Sequence, residues 1–186
     1  MANFKNSPAT KRFIRIGTIP TFLLYAIFVI YPIFNMLGLS FVKWNGLLGK
    51  KSFYGFKNYQ ILFQDPNFYL AFKNTIILIV MVTVITFVLA MLFASMLAKG
   101  KMAGQSFFRI LFYIPNILSI VVISAIFYML YSADYGLIAP ILSLFGKTYS
   151  GVLGNPDKVV YAVGIAMIWQ AVGYYMVMYI AAMDSI

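Results

Sequence analysis

The stretch NTIILIVMVTVITFVLAMLFASMLA, from Asn74 to Ala98, lies between Lys73 and Lys99 and contains no charged residue. A helix of that length is long enough to cross a bilayer core, which needs ~20 residues. One charge at mid-span costs roughly 3 kcal/mol on insertion scales, so a long uncharged window marks a lipid-crossing segment. Three more windows of this kind follow the same rule: Ile16 to Val42, Ile110 to Ala133 and Val159 to Met183. The expected fold class is an all-α integral membrane protein with four transmembrane helices.

Composition agrees. Of the 186 residues 63% are hydrophobic and 10% charged, whereas soluble domains are about half apolar and a quarter charged. There is too little polar surface to cover a water-exposed globule, so lipid must cover the rest. The chain has no Cys, His or Glu, and its only acids are Asp65, Asp134, Asp157 and Asp184. Transition-metal sites normally draw on His or Cys, and nucleophile–base pairs on the same residues. No metal, cofactor or catalytic role is expected. The net charge of +10 comes from Lys and Arg in the gaps between apolar runs, which fits topology signals and headgroup contacts rather than a nucleic-acid face.

Working outward from the windows gives an organisation of a basic tail at 1–15, a first span at 16–41, an aromatic and basic loop at 42–73, and a segment 74–186 with spans near 74–98, 110–132 and 159–183. The first window is too apolar over too great a length, and lacks a small-x-small site after it, to be a cleaved signal peptide; it is expected to stay as an anchor. Seven basic residues fall on each side if the N-terminus is inside. The inner segments are shorter and hold all three Arg residues, so a cytoplasmic N-terminus is expected. Asp65-Pro66 has the form of a helix cap with Pro at the first helical position. That helix is expected to continue through Phe72 into the second span. Tyr135 to Gly146, with Pro140, is too short to cross and is expected as a short interfacial helix or a plain apolar loop. Ala90, Ala94 and Ala98, and Ala162 and Ala166, repeat every fourth residue, a spacing that lets helices approach closely in lipid.

Phosphate-loop chemistry is excluded. Gly49-Lys50-Lys51-Ser52 lacks the Gly-Lys-Ser order, and Gly146-Lys147-Thr148 has Ile141 where the earlier Gly belongs. No ionisable residue lies inside a window, as ion-coupled carriers require, so energy for transport would have to come from a partner.

Several short motifs then resemble one family. Leu39-Ser40-Phe41 running to Trp44-Asn45, and Gly55-Phe56-Lys57-Asn58-Tyr59 followed by Leu62-Phe63 and Asp65-Pro66, resemble the first-span exit and loop of sugar-type ABC permeases. Phe72-x-Asn74-Thr75, then Phe108-Arg109 through Tyr113-Ile114-Pro115 to Ser119, and Trp169-Gln170 through Met183 continue the match in order. Ala139 stands where the family usually has Asn after Gly-Leu-Ile, and Phe127 or Tyr128 replaces a common Trp. The resemblance implies the type I (MetI-like) importer permease fold, incomplete here: the cytoplasmic coupling segment and two further spans are expected beyond Ile186. It also implies a multi-pass protein of the bacterial cytoplasmic membrane that works with a second permease subunit, cytoplasmic ATPase subunits and an extracytoplasmic sugar-binding protein. A structural or remnant subunit of a membrane complex is the alternative.

Sugars need polar partners for hydroxyls and aromatic faces for C–H surfaces. Trp169, Gln170 and Tyr174 offer both near the middle of the fourth window, with Gln170 and Tyr174 on one helix face. Asn116 and Ser119, after a kink expected at Pro115, would add contacts from the third. The competing reading has Gln170 hydrogen-bonded to a neighbouring helix and Trp169 packed against lipid or protein.

Overall fold

A computed structural model describes residues 8–46, 49–98 and 104–183. Lys5, Lys99, Lys101 and Asp184, which enter the topology and charge expectations, lie outside the described residues. The chain divides into two compact units, Met1–Tyr69 and Leu70–Ile186.

In the first unit the opening window forms one helical path in three pieces: α1 (Pro8–Tyr25), a π turn (Ala26–Ile30) and α2 (Tyr31–Leu39). Pro32 in the first turn of α2 has no N–H to donate, so the ladder shifts register just ahead of it. The Tyr31 N–H reaches back five residues to the Ala26 carbonyl. Large apolar side chains are exposed along the whole path, Phe28 at 73% and Phe34 at 68%, as befits a helix whose solvent is lipid.

A small structured loop follows. Strands β1 (Val42–Lys43) and β2 (Ser52–Phe53) pair antiparallel, the one departure from an all-helical chain among the described residues, and α3 (Lys57–Gln64) follows them. The family-like residues hold this loop together. Asn58 Nδ2 donates to the carbonyls of Ser40 at 2.8 Å and Val42 at 3.1 Å, Tyr59 donates its hydroxyl to Ser40 Oγ at 2.7 Å, and the rings of Phe41, Phe56 and Tyr59 cluster. Ser40 caps the C-terminus of α2, so Asn58 satisfies a carbonyl that the helix leaves open. Asn58→Leu is expected to weaken the loop by about 1–2 kcal/mol, the cost of orphaning these acceptors. Amide hydrogen exchange at Tyr54, whose N–H donates to the Phe41 carbonyl, should speed up accordingly; unchanged exchange there would contradict the assignment.

Helix α4 (Pro66–Ala98) starts at the expected proline, with Asp65 Oδ1 accepting the Asn67 N–H at 2.9 Å, and runs unbroken through Phe72 into the second window. In the second unit α8 (Pro156–Met183) is the other uninterrupted span. The third window is not one rod. It divides into α5 (Gln105–Ile117) and α6 (Ile120–Leu130), which meet at 99°. Pro115, where a kink was expected, sits inside α5; the break comes three to four residues later, where Leu118 and Ser119 turn extended and Ser119 Oγ accepts the Val122 N–H at the start of α6. By length and composition the described helices give three spans, or four if the bent pair counts as one. Tyr135–Gly146 contains a short helix, α7 (Ile138–Ser143), with Pro140 in its first turn where no N–H is needed.

Candidate solute pathway

The second unit is assembled around α8. On α4, Thr86, Ala90 and Ala94 follow one another at four-residue spacing and are 2%, 0% and 0% exposed. Ala90 and Ala94 give a flat surface against which Met176 and Ile180 of α8 seat, with Phe87 edge-on to Tyr175 at 5.0 Å beside it. Of the expected alanine repeats, Ala90 and Ala94 are therefore a packing surface, whereas Ala98 and Ala166 are half-buried and outside this cluster. Ala162 on α8 is also buried.

On the α5 side the approach is closer still. A side chain at Gly173 would run into the carbonyl of Phe112, with the Tyr113 nitrogen 3.0 Å away. Only hydrogen fits there, so Gly173 sets how near α5 can lie to α8. Phe93 of α4 stacks on Phe112 at 4.7 Å, tying the three helices together. Near the other end of α8, Tyr131 at the end of α6 donates to the Ala162 carbonyl at 2.9 Å, and Tyr149 donates to the Tyr131 carbonyl at 2.9 Å. Neither Gly173 nor Tyr131 was singled out from sequence. A glycine at mid-span was the available signal for the first; the second had none.

Two grooves result. The larger, about 560 Å³, lies among α4, α5 and α8 and is apolar, lined by Ile85, Phe93, Phe112, Pro115, Trp169 and Val172 among others. The smaller, about 260 Å³, lies along α6 and α8 and is mixed in residue type, with Ser124, Tyr128, Tyr131 and Gln170 beside Phe127 and Ala166, though its exposed surface is as predominantly apolar as that of the larger.

The residues expected at a site are spread over these surfaces. Trp169 lines the apolar groove and meets Phe127 edge-on at 5.5 Å. Gln170, the next residue, is turned by a helical step of about 100° and lines the mixed groove. Tyr174 is 41% exposed and meets Tyr175 edge-on at 5.4 Å. Asn116 is half-buried on α5, and Ser119 is committed to capping α6. Tyr174, Asn116 and Ser119 line neither groove. Gln170 forms no hydrogen bond among the described residues, and the groove gives it Ser124 and Tyr128 as polar company.

No family model matches the chain, but individual proteins do. A probable ABC transporter permease protein of Pyrococcus horikoshii is 31% identical over 170 residues, 90% of this chain and 58% of that protein. The lactose transport system permease protein of Rhizobium radiobacter is 32% identical over 169 residues, 90% of this chain and 56% of that protein. Among solved structures, a bacterial ABC transporter involved in the import of the acidic polysaccharide alginate superposes with a TM-score of 0.76 at 25% identity, over 94% of this chain and 58% of that one. A second structure of an alginate ABC transporter, in complex with an alginate pentasaccharide-bound periplasmic protein, shares the fold with a TM-score of 0.74 at 23% identity. The chain has the fold of an ABC-importer permease, and its relatives are sugar-transport permeases. It spans somewhat over half the length of the permeases it matches. The family-like motifs at Ser40–Phe41 and Asn58–Tyr59 thus fall on residues that build the loop, whereas Pro115, Trp169 and Gln170 carry theirs to the grooves and Ser124 and Tyr128 belong to none.

Proposed function

We propose that this permease chain forms part of the translocation pathway of an ATP-driven sugar importer. The observation that carries the reading is that sugar-transport permeases match about nine-tenths of its length. In this reading the chain is not itself catalytic. A second permease subunit completes the pore, cytoplasmic ATPase subunits supply the energy, and an extracytoplasmic binding protein delivers the sugar; the periplasmic protein in the second alginate structure supports that last role. The N-terminus faces the cytoplasm.

Within the chain, the mixed groove is the candidate because side chains that can hydrogen-bond a hydroxyl stand among its lining residues. Gln170, Ser124 and Tyr128 present donors and acceptors, and Phe127 offers a ring face. Trp169, Gln170 and Tyr174, with Asn116 and Ser119, remain the candidate pathway residues, and Gln170 leads because its amide is free and faces this groove. Gln170→Leu in the assembled transporter is expected to cut uptake of labelled sugar by about tenfold, the effect of deleting a hydrogen bond worth roughly 1–2 kcal/mol at a desolvated site. Equal uptake at equal protein level would remove Gln170 from the pathway.

A further inference from the structure

Sugar transport leaves the charge of the loop between α2 and α4 unused. Residues 40–65 hold Lys43, Lys50, Lys51 and Lys57 against a single acid, Asp65, and Asp65 is engaged at the start of α4. Three of these lysines are gathered on rings. Lys43 Nζ lies 5.5 Å and Lys57 Nζ 5.2 Å from the centroid of the same Tyr54 ring, and Lys51 Nζ lies 4.6 Å from that of Trp44. A ring face attracts an ammonium group but accepts no strong hydrogen bond, so the N–H donors stay available. Two ammonium groups around one ring also repel each other, a cost that a bound anion relieves. Next to them Phe53 is 84% and Phe56 69% exposed.

We propose that this loop binds the anionic headgroup of a phospholipid, its phosphate oxygens shared by Lys43 and Lys57, with Lys51 beside Trp44 as a further contact. Connectivity places the loop at the ends of two candidate spans, Arg12–Leu39 and Pro66–Ala98, so a lipid surface is its immediate neighbour. The exposed phenylalanines select lipid over an acidic protein or saccharide, because aromatic side chains beside cations settle at the headgroup boundary. With the N-terminus inside, these lysines also lie on the side that topology rules leave poor in basic residues. Their presence then serves something other than orientation.

The inference rests on membrane embedding and not on the cargo, so loss of sugar uptake leaves it untouched. The chain has two tryptophans, and Trp169→Phe leaves Trp44 as the reporter. The full transporter carrying that change, with every tryptophan outside residues 1–186 also replaced by phenylalanine, would be placed in phosphatidylcholine bilayers with a minor fraction of lipid brominated in its acyl chains, either phosphatidylglycerol or phosphatidylcholine. Brominated phosphatidylglycerol is expected to quench Trp44 at least about threefold more than brominated phosphatidylcholine at low salt. The ratio should fall to about 1 in the combined Lys43→Gln, Lys51→Gln, Lys57→Gln variant and, in the parent protein, at ~1 M salt, where the screening length is ~3 Å. The salt arm needs no substitution and so stands even where the triple variant misfolds. Equal quenching by both lipids in the parent, or a preference that survives salt, overturns the proposal.

Discussion

Gly173→Ala in the full-length protein is expected to lose about 3 kcal/mol or more of stability, at the upper end of what an added methyl group does to a packed interior. The new methyl group meets the backbone of Phe112 and Tyr113 rather than a movable side chain. Relief requires α5 to separate from α8, which in turn breaks the stacking of Phe93 on Phe112. The matched control is Gly164→Ala on the same helix. Its methyl group would strike the end of the Met81 side chain, and a methionine can swing aside, so the loss should stay below about 1 kcal/mol. Thermal unfolding of the detergent-purified protein distinguishes them: a large drop in Tm for the first and a small one for the second. Equal drops would mean that α5 and α8 do not touch through Gly173.

Ala94→Leu is expected to cost about 2–3 kcal/mol for a similar reason. Ala94 is fully buried between α4 and α8 in the cluster with Met176 and Ile180, and with no hydrophobic force between helices in lipid, their close packing is what joins them. Ser95→Leu, one residue along, places the same side chain on an exposed face and should leave Tm within about 0.5 kcal/mol of the parent. The Ala94 variant melting with the parent would show that the alanine strip does not carry the α4–α8 contact.

These contrasts show what the sequence could and could not disclose. Freedom from charge over a helix-length window is a one-dimensional property, and it located the windows of α4 and α8, while the Asp65-Pro66 capping pair marked the start of α4. It could not reveal that the third window breaks at Ser119, because the residues on both sides are equally apolar and hydropathy measures length, not continuity. Proline pointed to the region, yet the capping serine fixes the turn. The alanine spacing was legible because a four-residue repeat already implies one helix face. The close approach at Gly173 was not, since it depends on where a second helix lies. The candidate site was half legible for the same reason. Side-chain chemistry brought Trp169 and Gln170 forward together, while the helical step sends them to different grooves, and Ser124 and Tyr128, which share the groove with Gln170, carried no pattern at all.

Residues 1–186 hold no cysteine, so once any cysteines elsewhere in the transporter are replaced, one measurement is decisive for a water-accessible sugar path along α6 and α8. Ser124→Cys and Ala166→Cys, both lining the mixed groove, would be tested in the assembled transporter with a charged, membrane-impermeant thiol reagent, against Val121→Cys, 74% exposed on the apolar surface of α6. Both groove positions should react much faster than position 121, and transported sugar should slow them. Labelling no faster than at position 121, with sugar or without, would mean that solute does not pass this groove.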